Sequence, residues 1–367
     1  MEETDSLNNV LVSSSLPDDN ANQTINNKEN SNDCEPEPEE TEEELERKHF
    51  QRIVNAFRSY NSGNEVSSGQ YVKPNDDVAH LFQNADHSED IKVISSEVTM
   101  IDMEKVQSIF KQLYREWSVE GKDERDASFK PILDEIALRF PEDKVDKPNI
   151  QILVPGAGLG RLPYEIARRG YSCQGNEFSL FMLFASNFVL NKCQGVDIFK
   201  IYPWVHQYYN NLKSYDQVQM VRFPDANPCD IPEKVDFSMA AGSYIEIYNN
   251  LDVWDCICTC FFIDTANNVI DYIDTTWNIL KPGGYWINLG PLLYHHADIP
   301  NENSIEPSYE EIRSIILKYG FILLKEELNI PTPYAQNPRS MMSYEYRSVF
   351  FVCQKPDPVC CMKNEVS

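Results

Sequence analysis

The spacing of hydrophobic side chains changes along the chain and divides it into regions of different character. Residues 1–45 are rich in Asn, Ser and Glu and end in EPEPEETEEE. Such a segment has too little apolar surface to build a core, so we expect it to be disordered. From Leu45 to Tyr60 the apolar residues recur at helical spacing, which predicts a helix. The side chains on its apolar face are Phe50, Ile53, Val54 and Phe57.

Two further helices are predicted before residue 145. The segment Asp102–Val119 has its apolar side chains on one face, and a second helical pattern covers Phe129–Phe140. The apolar face of the first consists of Val106, Ile109, Phe110, Leu113 and Trp117. Because residues 61–100 are more polar, we expect 46–145 to be a helical accessory region with a loose connection inside it.

Beyond Lys147 short apolar runs alternate with helical patterns, which is typical of a parallel α/β sheet. The predicted strands are Ile150–Val154, Tyr171–Asn176, Val235–Ala241, Asp255–Ile263 and Gly284–Leu289. The predicted helices are Leu162–Arg169, Leu180–Leu190, Val269–Leu280 and Ser308–Tyr319. Two final strands, in FILLKEELNI and YEYRSVFFVCQK, follow each other without a helix and should be antiparallel. We therefore expect an α/β domain at residues 146–356 and a flexible tail at 357–367.

Composition and charge narrow the possible partners. The net charge is −26, and residues 1–45 supply half of it through fourteen acidic residues against Lys28. The rest of the chain is also acidic, which disfavours a nucleic-acid substrate because phosphate binding relies on Lys and Arg. No run approaches the ~20 apolar residues of a membrane span, and the acidic N-terminus does not resemble a signal peptide. The ten cysteines have no zinc-site spacing. We expect a cytoplasmic protein, with the nucleus as a further location, and no metal.

A glycine-rich turn between the first predicted strand and helix is the main indication of a ligand site. Its glycines are Gly156, Gly158 and Gly160. A dinucleotide-binding turn would have glycine where Arg161 stands, whereas Glu177, at the end of the next strand, could accept both hydroxyls of a ribose. Together with LKPGG at Leu280–Gly284, these features favour S-adenosylmethionine over a nicotinamide cofactor. The pair Gly283–Gly284 should also end the helix before it.

Five longer blocks resemble the carnosine N-methyltransferase family. They are ILVPGAGLGRLPYEIARRGYSCQGNEFSLFMLFASNFVLN, YPWVHQ, WDCICTCFFIDTANNVIDYIDT, LKPGGYWINLGPLLYHH and SMMSYEYRSVFFV. The resemblance covers about residues 45–355. It implies a class I, Rossmann-like methyltransferase fold and transfer of a methyl group from S-adenosylmethionine to an imidazole nitrogen of carnosine, giving anserine and S-adenosylhomocysteine. It also implies a homodimer and a small dipeptide substrate.

The resemblance assigns residues to the cofactor. Gln112 and Arg115 match residues that hold the methionine end, and an arginine fork suits a carboxylate; the alternative is a solvated polar flank of the helix. Gly156 and Gly158 would form the loop, and Glu177 would bind the ribose.

Three further positions are expected near the adenine or the cofactor. Ser243 stands where the family pattern has an acid, which leaves the adenine contact weaker or remade. Tyr244 beside it could stack on the base. Cys256 matches another cofactor-side position, with ordinary core packing as the alternative.

On the substrate side the resemblance points to Asp264, His295, Tyr334 and Tyr346. Asp264 and His295 follow predicted central strands at the end where ligands bind in open α/β sheets. The alternatives are a helix N-cap for Asp264, a structural role for His295 and core packing for Tyr346. The hypothesis is that Asp264 fixes the tautomer of the imidazole, His295 orients the ring or receives its proton, and the tyrosines hold the dipeptide.

Two other functions stay open at this point. One is methylation of another imidazole dipeptide or of a protein histidine. The other is a catalytically silent scaffold that binds the cofactor or a partner, with the acidic tail as a docking segment. The joint presence of Asp264, His295, Tyr334 and Tyr346 argues against the scaffold.

Overall fold

The computed structural model describes residues 42–63 and 98–358. The helices in these residues are α1 (Glu42–Gly63), α2 (Met100–Trp117), α3 (Lys122–Arg139), α4 (Arg161–Arg168), α5 (Leu180–Lys192), α6 (Ser214–Gln217), α7 (Tyr244–Ile247), α8 (Val269–Ile279) and α9 (Tyr309–Tyr319). The strands are β1 (Gln151–Pro155), β2 (Ser172–Glu177), β3 (Phe199–Ile201), β4 (Val221–Phe223), β5 (Phe237–Ala241), β6 (Trp254–Cys260), β7 (Leu280–Gly290), β8 (Ile322–Pro333) and β9 (Glu345–Gln354).

A seven-stranded sheet organises the α/β part, in the order β5-β2-β1-β6-β7-β9-β8. The neighbours from β5 to β7 are parallel, and β9 runs antiparallel to both β7 and β8. This confirms the expected mostly parallel sheet with an antiparallel last strand. The chain moves outward from β1 to β2 and β5 and then returns to β6, so the strand order reverses between β1 and β6. The carboxyl ends of strands at such a reversal form a crevice in which α/β proteins bind ligands.

Helices cover both faces of the sheet. The apolar sides of α3 and α4 pack on one face, where Ile152, Ile166 and Ile287 are fully buried. On the other face, α8 and α9 enclose Trp286 and Phe351. Parallel strands are therefore apolar on both sides, which explains the short continuous runs seen in the sequence.

The N-terminal helices form a further layer that packs beside the sheet. Helix α1 contacts α2 and α5, with Ile53 and Ala56 fully buried, and this layer shares its core with Trp117 and Trp204. No helix in the described ranges is both long and apolar enough to cross a bilayer.

The carboxyl end of α2 is attached directly to the glycine turn. The indole N–H of Trp117 donates to the carbonyl of Leu159 at 3.1 Å, and the Arg161 guanidinium lies over the Trp117 ring at 4.8 Å. Arg161 also donates to the carbonyl of Glu116 and pairs with Asp225. These contacts fix the side chains at the end of α2 against the ligand-binding edge of the sheet.

The predicted helices and strands are present, with ends shifted by a few residues. Residues 1–41, 64–97 and 359–367 lie outside the described residues. The segment expected to be disordered, the polar connection and the flexible tail expected at 357–367 fall wholly or mostly within them. Residues 42–45 were expected to be disordered but belong to α1; acidic side chains favour the first turn of a helix because they complement its dipole. The antiparallel pair β3–β4 had not been predicted, since each strand has only three residues.

Two boundary predictions were wrong for identifiable reasons. Strand β6 ends at Cys260 rather than Ile263, because Phe261 adopts a left-handed conformation with φ of 53°. The pair Gly283–Gly284 does not end a helix: α8 ends at Ile279, and Gly283 lies in the irregular first part of β7, where its amide donates to Lys355.

Candidate active site

The glycine turn follows β1 and brings backbone, without side chains, to the ligand edge. Gly156, Gly158 and Gly160 all have left-handed φ angles, between 55° and 78°. A Cβ on Gly156 would lie 2.4 Å from the Phe262 ring, and one on Gly158 would lie 3.1 Å from a carboxylate oxygen of Glu116. Glycine is required here by backbone conformation and by close neighbours on both sides.

Glu177 ends β2 and is held against this turn. One carboxylate oxygen accepts the amide of Gly158 at 2.8 Å, and the other accepts the amide of Ser179 at 2.8 Å. Burial raises the pKa of Glu177, and these backbone amides oppose the rise. Each oxygen keeps a second lone pair, so the pre-oriented carboxylate can still accept ligand hydroxyls.

The segment after β5 borders Glu177, because the Gly242 amide donates to its carbonyl. Ser243 is half-buried at the start of α7. The Tyr244 ring is buried edge-on against Phe262 and Tyr272. Its hydroxyl lies 2.9 Å from that of Thr276. The adenine contacts of Ser243 and Tyr244 stay predictions.

Two cysteines of β6 have different surroundings. Cys256 is fully buried in the core, with its sulfur 3.7 Å from that of Cys258. Its cofactor contact stays a prediction. Cys260, at the carboxyl end of β6, is the one near Arg115; burial raises the pKa of its thiol to about 12, and Arg115 opposes the rise.

Gln112 and Arg115 lie at the ligand edge and are buried, with 6% and 3% exposure. The alternative of a solvated helix flank is therefore wrong. The amide of Gln112 donates to the hydroxyl of Tyr334 at 2.9 Å, and the Arg115 guanidinium lies 4.8 Å from the Tyr334 ring centre. Helix α2 is thus joined to the segment after β8, bringing a predicted cofactor pair to a predicted substrate residue.

Phe261 connects the two tyrosines of the substrate side. Its ring centre is 4.7 Å from that of Tyr334 and 5.8 Å from that of Tyr346. The Arg115 guanidinium also faces Phe261, at 5.7 Å. Sequence reasoning had missed this residue, because within the apolar run CFFID nothing distinguishes it from an ordinary strand position.

Asp264 lies in a 3₁₀ turn (Ile263–Thr265) directly after β6 and is 3% exposed. Its Oδ2 accepts the amide of Leu293 at 2.8 Å, and its carbonyl accepts the amide of His295 at 3.0 Å. Helix α8 is capped by Asn268, whose side chain accepts from Ile270, so the alternative role of Asp264 as the N-cap is wrong.

Burial shifts the pKa values of Asp264 and His295 in opposite directions. It raises the pKa of Asp264 to about 7, against the opposing effect of the Leu293 amide. Burial and the neighbouring His296 lower the pKa of His295. The pKa of Tyr346 is raised first by burial and then by the charge of Asp264, which places that tyrosine within electrostatic reach of the carboxyl.

Cys256 lies in the core, whereas the helix α2 residues and the substrate-side residues form one region. Its two ends are the helix α2 side chains beside the glycine turn and the Asp264–His295 pair, with an aromatic cluster of Phe261, Tyr334 and Tyr346 between them. A buried carboxyl at the carboxyl end of β6 can hold a basic heterocycle close to a ligand bound at the glycine turn.

Comparison with known proteins agrees with this chemistry. The family model described as carnosine N-methyltransferase matches residues 92–357. The chain is 47% identical over 353 residues to the carnosine N-methyltransferase of Rattus norvegicus, covering 86% of this chain and 88% of the relative. It is 53% identical over 268 residues to carnosine N-methyltransferase unmet of Drosophila melanogaster, covering 73% and 59%. For the Schizosaccharomyces pombe relative the identity is 41% over 265 residues, covering 69% and 71%.

Proposed function

This chain belongs to the carnosine N-methyltransferase family, and we propose that it methylates an imidazole nitrogen of carnosine, giving anserine and S-adenosylhomocysteine. Its cofactor is S-adenosylmethionine, whose sulfonium supplies the methyl group. The observation that carries the assignment to an imidazole acceptor is the buried carboxyl of Asp264 at the end of β6, whose backbone carbonyl accepts the amide of His295.

The residues at the glycine turn fit this cofactor. Arg115 Nη2 is buried and has no hydrogen-bond partner among residues 42–63 and 98–358, which is costly unless a ligand supplies one. A carboxylate such as that of the methionine end would satisfy it. Glu177 would accept the ribose hydroxyls, and Gly156 and Gly158 would let the backbone approach closely.

Asp264 is suited to select the reactive nitrogen of the acceptor. Methyl transfer is an in-line displacement, so the attacking nitrogen needs a free lone pair and the other nitrogen must carry the proton. An imidazole with an ordinary pKa of about 6.5 is mostly neutral at pH 7, so strong base catalysis is unnecessary. Because Leu293 occupies Oδ2, Oδ1 of Asp264 is the oxygen that would accept the ring N–H.

The same carboxylate stabilises charge as it develops. Attack converts the neutral ring into an imidazolium, and a buried, fixed carboxylate interacts with that cation more strongly than water would. Burial raises the pKa of Asp264 to about 7. An imidazolium beside the carboxyl opposes this rise, because a nearby positive charge favours the ionised carboxylate. His295, whose pKa is lowered by burial, would be neutral and could orient the ring. Tyr334 and Tyr346 would hold the dipeptide.

An acceptor comparison tests the proposal. Purified protein is given S-adenosylmethionine with carnosine, with free histidine, or with a histidine-containing protein extract, and methylated products are identified by mass. We expect carnosine to be methylated with the highest kcat/KM. Preferential methylation of protein histidines would contradict the proposal and show that the acceptor is a protein. Cofactor binding without methylation of any imidazole would support the silent scaffold. A homodimer and a cytoplasmic or nuclear location remain predictions.

A further inference from the structure

One turn at the end of α2 contains a group of buried polar atoms that lack partners. Gln112, Arg115 and Glu116 are 6%, 3% and 6% exposed. Within the described part of the chain, no hydrogen bond reaches Gln112 Oε1, Arg115 Nη2 or Glu116 Oε2. Buried polar groups are nearly always paired, so a cluster of them at a ligand edge indicates that a ligand completes it.

The carboxylate of Glu116 lies close to the glycine turn. Its Oε1 lies 3.1 Å from the position that a Cβ on Gly158 would occupy. Its backbone carbonyl accepts hydrogen bonds from Arg125 and Arg161, which anchor this residue at the end of α2. Residues 154–160, Val-Pro-Gly-Ala-Gly-Leu-Gly, contain no acid. The carboxylate of Glu116 is therefore one that α2 brings close to this turn.

The charges around Glu116 leave room for another cation. The nearest cation is Arg115, whose Nη1 is 3.6 Å from Glu116 Oε1, but Arg115 is shared with Glu124, whose Oε1 lies 3.3 Å from its Nε. Burial raises the pKa of Glu116 to about 7, while Arg115 and Arg161 oppose the rise and Glu177 adds to it. The Arg115 guanidinium thus lies between two buried carboxylates and still has an unpaired donor within the described residues, an arrangement that suits a ligand carrying both a positive and a negative group.

An α-amino acid zwitterion has this pair of charges on one carbon. We propose that Glu116 is a cofactor-binding residue: its Oε2, together with Oε1 of Gln112, accepts hydrogen bonds from the α-ammonium of S-adenosylmethionine, while Arg115 binds the carboxylate. The inference rests on the proposed cofactor site and adds a recognition element to it. It makes the protein selective for ligands that carry the α-amino group.

Direct binding measurements separate this role from catalysis. The probes are S-adenosylhomocysteine and its deaminated analogue, which keeps the nucleoside and the carboxylate but lacks the amino group. Calorimetry gives the dissociation constant of each for the wild-type protein, for Glu116→Gln and for Glu124→Gln. Glu124 is the matched control, because it is also a buried acid beside Arg115 but accepts the Ala335 amide.

We expect the wild-type protein and Glu124→Gln to prefer S-adenosylhomocysteine over the analogue. Glu116→Gln should weaken S-adenosylhomocysteine binding by about 10- to 100-fold, as expected for a charge-assisted hydrogen bond, and change analogue binding by less than about 3-fold. Equal weakening of both ligands, or unchanged binding of both, would overturn the proposal. Because the readout is binding, a protein that binds S-adenosylhomocysteine but does not methylate carnosine would refute the proposed function and not this inference.

A pH series on the wild-type protein gives a second test that needs no variant. Arg115, Arg161 and Glu177 influence Glu116, and Cys260 and Tyr334 also lie within its electrostatic reach. Protonation of Glu116 removes its charge, so the preference for S-adenosylhomocysteine over the analogue should shrink as the pH falls below about 7. Glu177 affects both ligands equally through the ribose. A preference that is constant from pH 8 to about pH 5.5 would also overturn the proposal.

Discussion

Replacing Asp264 by Asn should reverse the hydrogen bond that this residue offers to the acceptor. In the wild-type protein Oδ2 accepts the Leu293 amide at 2.8 Å and Oδ1 is the remaining oxygen. The only oxygen of an asparagine side chain would be held by the same amide, so its NH₂ group would take the place of Oδ1. A donor would then face the ring. It would favour the tautomer whose proton sits on the nitrogen that has to attack.

The expected fall in kcat follows from the lost hydrogen bond and from the wrong tautomer. Loss of a charge-assisted hydrogen bond to the forming imidazolium costs about 1.5–3 kcal/mol, and a wrong tautomer adds to it. Single fixed groups that stabilise developing charge are worth about 10²–10³ in kcat. We therefore expect kcat for carnosine to fall by at least about 10²-fold, while the KM for S-adenosylmethionine changes by less than about 3-fold.

The variant should remain folded, which makes the result interpretable. Burial raises the pKa of Asp264 in the native protein, so the native state disfavours the ionised carboxylate. The stability that the protonated carboxyl contributes to the native state is therefore lost as the pH rises through about 7. Asn has no such ionisation, so at pH 8 its melting temperature should equal or exceed that of the wild type. Asp274→Asn, on the exposed side of α8, is the matched control and should keep full activity. Near wild-type kcat in folded Asp264→Asn would refute the reasoning.

Further expectations concern pH, the cofactor fork, the substrate and stability. At saturating S-adenosylmethionine, a plot of log(kcat/KM) for carnosine against pH should have a slope near 2 below about pH 6.5, because both the substrate imidazole and Asp264 must lose a proton. Asp264→Asn should reduce this slope to about 1. Arg115→Lys should raise the KM for S-adenosylmethionine by about 10-fold or more, because an ammonium cannot replace a fork; an unchanged KM would contradict this contact. Tyr346→Phe should raise the KM for carnosine by about 3- to 10-fold and leave the cofactor KM unchanged, as measured in paired titrations. Trp117→Phe removes the 3.1 Å bond to Leu159 and should cost about 1–2 kcal/mol, read as a lower midpoint in urea, whereas an unchanged midpoint would show that the bond is not needed.

Features that depend on residues close together in the sequence, such as single strands, single helices and the glycine turn, were predictable from the sequence. Strand and helix patterns after Lys147 indicated the parallel sheet, and the glycine spacing together with Glu177 indicated a nucleoside ligand. The structure confirmed the sheet and the family match supports the cofactor, whereas the contact between Glu177 and the ribose stays a prediction. The pattern was informative because it lies within one strand–turn–helix unit.

Contacts between distant segments were not predictable in the same way. In the sequence, Glu116 cannot be distinguished from any other polar residue of a helix; its role depends on the packing of α2 against the glycine turn. That packing involves Asp225, which lies far along the chain and pairs with Arg125 and Arg161. Phe261 acquires its position from a left-handed backbone conformation that its sequence does not signal. Cys256 and Cys260 are four residues apart and therefore lie on the same face of a strand. Only the position at which β6 ends shows that Cys260 is the one near Arg115.

The most direct test of the central claim is to locate the transferred methyl group. The protein is incubated with carnosine and S-adenosylmethionine that carries an isotope-labelled methyl, and the product is analysed by NMR. Carnosine offers two kinds of nucleophile, the imidazole ring and the β-alanyl amine. The account predicts the label on a single ring nitrogen, with Asp264→Asn strongly slowed in forming it. Label on the amine, an equal mixture of both ring positions, or no transfer despite bound cofactor would contradict it.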